Sequence, residues 1–192
     1  MAEKVKIILD KNADILRLPA IALRGLVVFP GNVIHFEVGR KKSIAAIEWA
    51  MNNANAVFLT AQKELDTEDP GFHDLYPYGV VAEIKQVLRV SDDLVKVLVE
   101  GKYRAKLLTL DSSGRFLLAA NKAAPLRGGK SADPARVEAL VRSIREAFEE
   151  YLTLTQRMPK DVAYHIITCD DPMVLADYLP GNLLFKYTDK QA

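Results

Sequence analysis

The sequence predicts an α+β protein, a β-rich part followed by a helical one, on three observations. Apolar residues recur with a period of two up to about residue 122 and with a helical period after it. Turn residues punctuate the first part at short intervals. In the second part, Asp-Pro pairs stand where helices would begin, with aspartate as cap and proline as first helical residue.

Seven short runs rich in β-branched or aromatic residues read as strands: 21–29, 33–38, 56–61, 80–90, 94–99, 103–110 and 116–120. They suffice for an antiparallel sheet or small barrel. In the fourth run, strict alternation places Val80, Ala82, Ile84, Leu88 and Val90 on one face. Glu83, Lys85, Val87 and Arg89 fall on the other. Ser91-Asp92-Asp93 turns the chain into 94–99, where Val95, Val97 and Val99 alternate with Lys96, Leu98 and Glu100 to complete a hairpin. Asp111 to Gly114 marks a second turn. One helix interrupts the strands over 42–52, with Ile44, Ile47 and Met51 on one side and Asn52-Asn53 as its stop. The acidic stretch Glu64, Asp66, Glu68 and Asp69, ending in Pro70-Gly71, has neither period and reads as a surface loop.

The organisation that follows is a leader over 1–18 without an assignment, a β-rich part over 19–122, a linker over 123–132 and a helical part over 133–192. Within the last, Val137, Leu140, Val141, Ile144, Phe148, Tyr151 and Leu152 make one side of a long amphipathic helix opened by Asp133-Pro134. Asp161 is expected to cap a second helix. Asp171-Pro172 opens a third through Tyr178, which Pro180-Gly181 then ends or kinks.

The 192 residues carry 26 basic and 25 acidic side chains, a net charge of +1, so no whole-molecule field steers the chain to nucleic acid or an anionic membrane. Cys169 is the single cysteine, which rules out an internal disulfide and a four-cysteine zinc site and fits a reducing, cytoplasmic setting. No apolar run is long enough to span a membrane, and residues 1–11 lack the apolar core of a signal peptide.

Motifs for chemistry are weak. Ala124 to Ser131 meets a relaxed phosphate-loop spelling, but Asp133-Pro134 starts the helix too late for Lys130 and Ser131 to open it, so the stretch reads as a linker. His35-Phe36-Glu37 spells the H-x-E of zinc deaminases without the cysteines that complete that site. His165, Cys169, Asp170 and Asp171 have metal-ligand spacing but read instead as a partly exposed histidine, a small apolar residue at a helix end and a cap of the next helix. Ser43 beside Lys42 and Ser131 beside Lys130 offer no sign of the buried lysine a Ser-Lys dyad needs. Lys85, Arg89, Lys96, Lys102, Arg104 and Lys106, with Tyr103, either line a nucleic-acid face or are solvated strand faces.

In its ordered strings the chain resembles the N-terminal domain of the ATP-dependent Lon proteases. The resemblance runs through Leu23-Arg24-Gly25 with Phe29-Pro30, Val38-Gly39-Arg40 with Lys42-Ser43, Ala61-Gln62-Lys63, Leu75-Tyr76 with Gly79, Val97-Leu98-Val99-Glu100-Gly101 with Arg104-Ala105, and Asp171-Pro172 with Leu175-Ala176-Asp177. Leu183 and Asp189-Lys190-Gln191 resemble the approach to the family's next helix. It implies a PUA-like β-rich subdomain followed by a helical one. It also implies that the chain is a piece of a longer protein, whose ATPase module, with ATP and magnesium, and Ser-Lys protease module lie elsewhere.

The function implied is recognition, without catalysis or a cofactor of this chain's own, of misfolded, short-lived or degron-bearing proteins, together with assembly alongside other Lon subunits into a hexamer. A membrane and nucleic acid are not expected partners. A free-standing PUA-like adaptor or RNA-binding module is the alternative, and a small phosphate-loop enzyme a distant third. The contact surface is assigned to large apolar or aromatic side chains near loops: Phe29, Pro30, Tyr76, Tyr78, Val87 and Leu88.

Overall fold

The structure, a computed structural model, describes residues 15–125, 133–155 and 158–191. Along these the elements are β1 (Ile15–Leu23), β2 (Val33–Val38), α1 (Lys41–Met51), β3 (Ala56–Ala61), β4 (Tyr78–Ser91), β5 (Leu94–Asp111), β6 (Leu117–Ala123), α2 (Pro134–Leu154), α3 (Lys160–Thr168), α4 (Pro172–Asn182) and α5 (Tyr187–Gln191), with a 3-10 turn at Phe72–Asp74. The fold is α+β, as the two periodicities require. Two compact units share the chain. One is built from its course up to Pro125 and again from Phe185, the other from Leu126–Leu184.

In the first unit the strands run in the order β2-β5-β4-β3-β1-β6, and β6 returns to pair with β5, closing the sheet on itself. β1 and β3 are parallel, and the other pairings are antiparallel. Strand β5 makes this possible by its length of 18 residues. Its first half pairs with β2 through Val95–Glu100 and its second half with β6 through Ala105–Asp111. Residues 94–99 and 103–110, expected as two strands, are therefore one, and Gly101-Lys102 is a bulge inside it rather than a turn.

The first strand also differs from expectation. It runs over Ile15–Leu23 instead of 21–29 and begins inside the unassigned leader, whose residues 1–14 lie outside the described ones. It stops because Gly25 takes a left-handed φ of 64°. The apolar residues after it, Val28 and Phe29, are buried from a loop. Strands β1 and β3 contribute alternate residues to two apolar clusters, Ile21, Leu23, Val57 and Leu59 to one and Ala20, Ala22 and Phe58 to the other, which is why both read as unbroken apolar runs. Helix α1 covers the first cluster with Ile44, Ile47 and Ala50.

The C-terminal segment belongs to this unit. Tyr187 Oη donates to Lys63 O at 2.8 Å, and Gln191 Nε2 to Tyr78 O at 3.0 Å.

In the second unit Phe148, Ile166, Leu175 and Leu183 form a small core. Asp133 accepts from Ala135 N, and Asp171 from Met173 N and Val174 N, as N-caps do. Asp161 is not a cap. Pro159 occupies that position and Asp161 lies in the first turn of α3. Helix α4 continues to Asn182, past Pro180, because a proline near the end of a helix removes a single bond there. Cys169 closes α3, and Arg145 Nη2 ties the adjoining turn by donating to Cys169 O at 2.6 Å and Asp170 Oδ1 at 2.9 Å. The linker motif at 126–131 lies outside the described residues.

Candidate functional site

Three inserted residues set the geometry of the β4–β5 ribbon. Ile84 pairs with Val99 but Gln86 with Leu98, so Lys85 is an extra residue on β4. Val90 is a second, between Arg89 and Ser91. On β5, Val81 pairs with Tyr103 and Ala82 with Gly101, which makes Lys102 the third.

The bulge at Lys85 reverses the alternation beyond it. Val87, expected on the charged outer face, is half-buried against the core, whereas Leu88 and Val90, expected on the core face, are 57% and 55% exposed. Sequence parity fails here because it counts every residue, and a bulge residue does not count.

The bulges also organise charge. Glu83 and Glu100 stand directly opposite each other across β4 and β5, a repulsive pairing taken alone. Lys85 and Lys102 each bridge both carboxylates at 2.7–2.9 Å, closing a four-membered square. Hydrogen bonds from Lys102 and Lys85 pull the Glu100 carboxyl down to about 2 and lower that of Glu83, while those two glutamates raise both lysines. Three other basic residues of this ribbon are engaged locally. Arg89 bonds Glu48 at 2.9 Å, Arg104 lies over the Phe29 ring and Lys106 over the Tyr78 ring.

The six residues singled out from the sequence are separated. Phe29 is buried under Arg104 and Pro30 is half-buried beside it. Tyr78 is 48% exposed and Tyr76 half-buried. Phe29 and Tyr78 are thus drawn to Arg104 and Lys106 of β5. Val87 and Leu88 lie nine and ten residues along β4 from Tyr78, roughly 30 Å away at strand rise. On the same outer face of the β2–β5–β4 sheet, Leu88 lies opposite Lys96, the half-buried Leu98 opposite His35 and Gln86, and Val33, 62% accessible, opposite Glu100 beside the charge square.

A feature the motif search missed is a cleft of about 690 Å³ where β1 and β2 end. Ile21, Leu23, Leu26, Phe36, Val38 and Leu117 line it with apolar surface, and Arg24, Arg40, Lys41 and Lys42 face Glu37, Glu68 and Asp69 around it. Arg40 holds one wall together. It donates to Ala22 O at the end of β1 (3.2 Å), to Gln62 Oε1 (2.7 Å) and to Thr67 O in the acidic loop (2.8 Å). Burial, then the charge of Arg24, lowers its pKa. Gln62 is fully buried and donates to Glu64 O and Thr67 O. Lys42 bonds Asp69 at 2.8 Å, so its ammonium is engaged by a carboxylate rather than by Ser43. The acidic loop is thus pinned to the barrel from three sides. The arrangement offers apolar contact, hydrogen bonds and a slight excess of positive charge, the chemistry of binding. Among the described residues no group of three or more His, Cys, Asp or Glu is placed to hold a metal ion, and no helix is long and apolar enough to cross a membrane.

Comparison with known proteins gives concordant matches. A family model described as the ATP-dependent protease La (LON) substrate-binding domain matches residues 17–192. The Lon protease of Desulforamulus reducens is 39% identical over 180 residues, 94% of this chain and 22% of that protein. The Lon protease of Escherichia coli is 38% identical over 182 residues, 95% of this chain and 23% of that protein. The chain therefore spans less than a quarter of these relatives. Among solved structures, the N-terminal domain of the Mycobacterium avium complex Lon protease superposes with a TM-score of 0.66 at 18% identity, covering 91% of this chain and 94% of that one, and so shares the fold.

Proposed function

Because this chain belongs to the family of ATP-dependent protease La (LON) substrate-binding domains, we propose that it recognises misfolded and short-lived regulatory proteins for a cytoplasmic Lon-type ATP-dependent serine protease. In this reading it has no cofactor and does no chemistry itself. ATP, magnesium and the Ser-Lys dyad belong to other modules of the parent enzyme, and other Lon subunits are its assembly partners.

The observation that carries the reading is the exposure of Val33, Leu88 and Val90, at 62%, 57% and 55%, on the outer face of strands whose other face packs on the core. Aliphatic side chains left in water on one sheet face are the kind of surface a receptor for unfolded chains presents. Assembly is supported by α2, whose first half exposes Leu140 and Ile144 at 56% and 41%.

The test is equilibrium binding of fluorescently labelled reduced and carboxymethylated α-lactalbumin, which stays unfolded, against the native protein and a single-stranded oligonucleotide at moderate salt. Saturable binding of the unfolded form, with little of the other two, is expected. Equal affinity for native and unfolded forms, or a preference for the oligonucleotide with a steep salt dependence, overturns the proposal.

A further inference from the structure

The sheet closes through β5 and β6, yet among the described residues no strand pairs with the far edge of β2. The register says which groups face that edge. Gly101 N donates to Asn32 O at 3.0 Å, so in the antiparallel ladder Asn32, Ile34, Phe36 and Val38 are the residues bonded to β5. Val33, His35 and Glu37 then direct their N–H and C=O groups to the open side. Their side chains are exposed, and those of Ile34, Phe36 and Val38 turn towards the core.

The open edge meets the cleft. Phe36, Glu37 and Val38 line it together with Gly39 to Ser43, so the cavity adjoins the C-terminal end of β2, with Glu37 the edge-facing residue beside it. A strand added at the usual spacing of about 4.8 Å would run along the edge and bring the side chains at its Glu37 end to the apolar lining.

We infer that the free edge of β2 takes up an extended polypeptide segment as an additional strand, its backbone bonded to Val33, His35 and Glu37 and the apolar side chains at its Glu37 end seated in the cleft. This deepens the proposed function and rests on it. Backbone pairing explains how one site can accept many sequences, since the ladder reads no side chains and the apolar lining selects only for greasiness. The charge around the cleft, four basic against three acidic groups, favours segments that are neutral or acidic. A second copy of this chain is the poorer occupant, because the cleft is concave and a barrel edge brings its own sheet with it.

His35→Pro removes one edge-facing donor without touching the β2–β5 ladder, and proline is tolerated on an edge strand. His35→Ala keeps the donor and serves as the control for the side chain. With reduced and carboxymethylated α-lactalbumin as probe, the proline variant should bind at least about fivefold more weakly than the alanine variant, the loss of a hydrogen bond or two. Independently of any variant, amide exchange at Val33, His35 and Glu37 should be fast in the free chain and slowed at least about tenfold by the probe.

Unchanged affinity in a folded His35→Pro variant, or unprotected edge amides with the probe bound, overturns the inference and leaves the recognition role standing. Protection that rises with the concentration of this chain alone, together with a dimer in sedimentation, also overturns it, since the edge would then serve self-association. Failure of the parent chain to bind the probe at all removes the recognition role on which the inference depends.

Discussion

Gly101 has no room for a methyl group. A Cβ there would stand 2.2 Å from Phe29 O and 3.0 Å from its carbonyl carbon, because the Phe29–Asn32 turn lies on the middle of β5 and exchanges hydrogen bonds with Gly101. Both obstacles are backbone and cannot rotate away. Gly101→Ala is therefore expected to cost about 2–3 kcal/mol in urea unfolding. At the β4 bulge the two neighbours should part company. Val87→Asp buries a carboxylate against Val97 and its cluster and should cost roughly 2–4 kcal/mol. Leu88→Asp, on an exposed side chain, should stay within about 0.5 kcal/mol of the parent. Equal costs would mean that the side chains do not reverse at Lys85. The sequence marks Val87 as unusual for an outer face, and the resolution, that it is not on that face, depends on an inserted residue that a single chain does not reveal.

At the scale of elements, the charge square and the Arg40 tether make separate predictions. A carboxyl held at about 2 in the folded chain against an ordinary 4.5 binds fewer protons there than in the unfolded chain between those values. The contribution of Glu100 is thus complete above about pH 4.5 and is lost as the pH falls towards 2. Unfolding midpoints should drop more steeply from about pH 5 to about pH 3 in the parent than in Glu100→Gln, and parallel curves would show the square to be without effect. Replacing Arg40 by alanine removes its hydrogen bond to Thr67 O in the acidic loop together with those to Ala22 O and Gln62 Oε1, and leaves Gln62 Oε1 buried without its donor. Proteolysis within residues 64–71 should quicken and stability fall by about 1–3 kcal/mol, whereas an unchanged cleavage pattern would mean that the loop is held by its own backbone.

Most elements were legible from periodicity: α1, β2 and β3 lie within a residue of their expected bounds, and the Asp92-Asp93 hairpin is where alternation put it. What was not legible depends on distant partners. Gly101-Lys102 has turn-like composition and becomes a bulge only because β4 pairs on both sides of it. The cleft unites residues from Ile21 to Leu117, and nothing local in Arg40 shows that it reaches Ala22, Gln62 and Thr67.

At the scale of the molecule, the proposed recognition of other chains rests on a barrel whose β2 edge is unpaired among the described residues, a cleft beside it and aliphatic side chains left in water. That makes the heat capacity of binding the most direct measurement. In calorimetric titration of this chain with reduced and carboxymethylated α-lactalbumin over a range of temperatures, apolar burial predicts saturable binding whose enthalpy grows more negative on warming, a clearly negative ΔCp, and no response to added ATP. Absence of binding, or binding with a ΔCp near zero that requires ATP, would contradict the account.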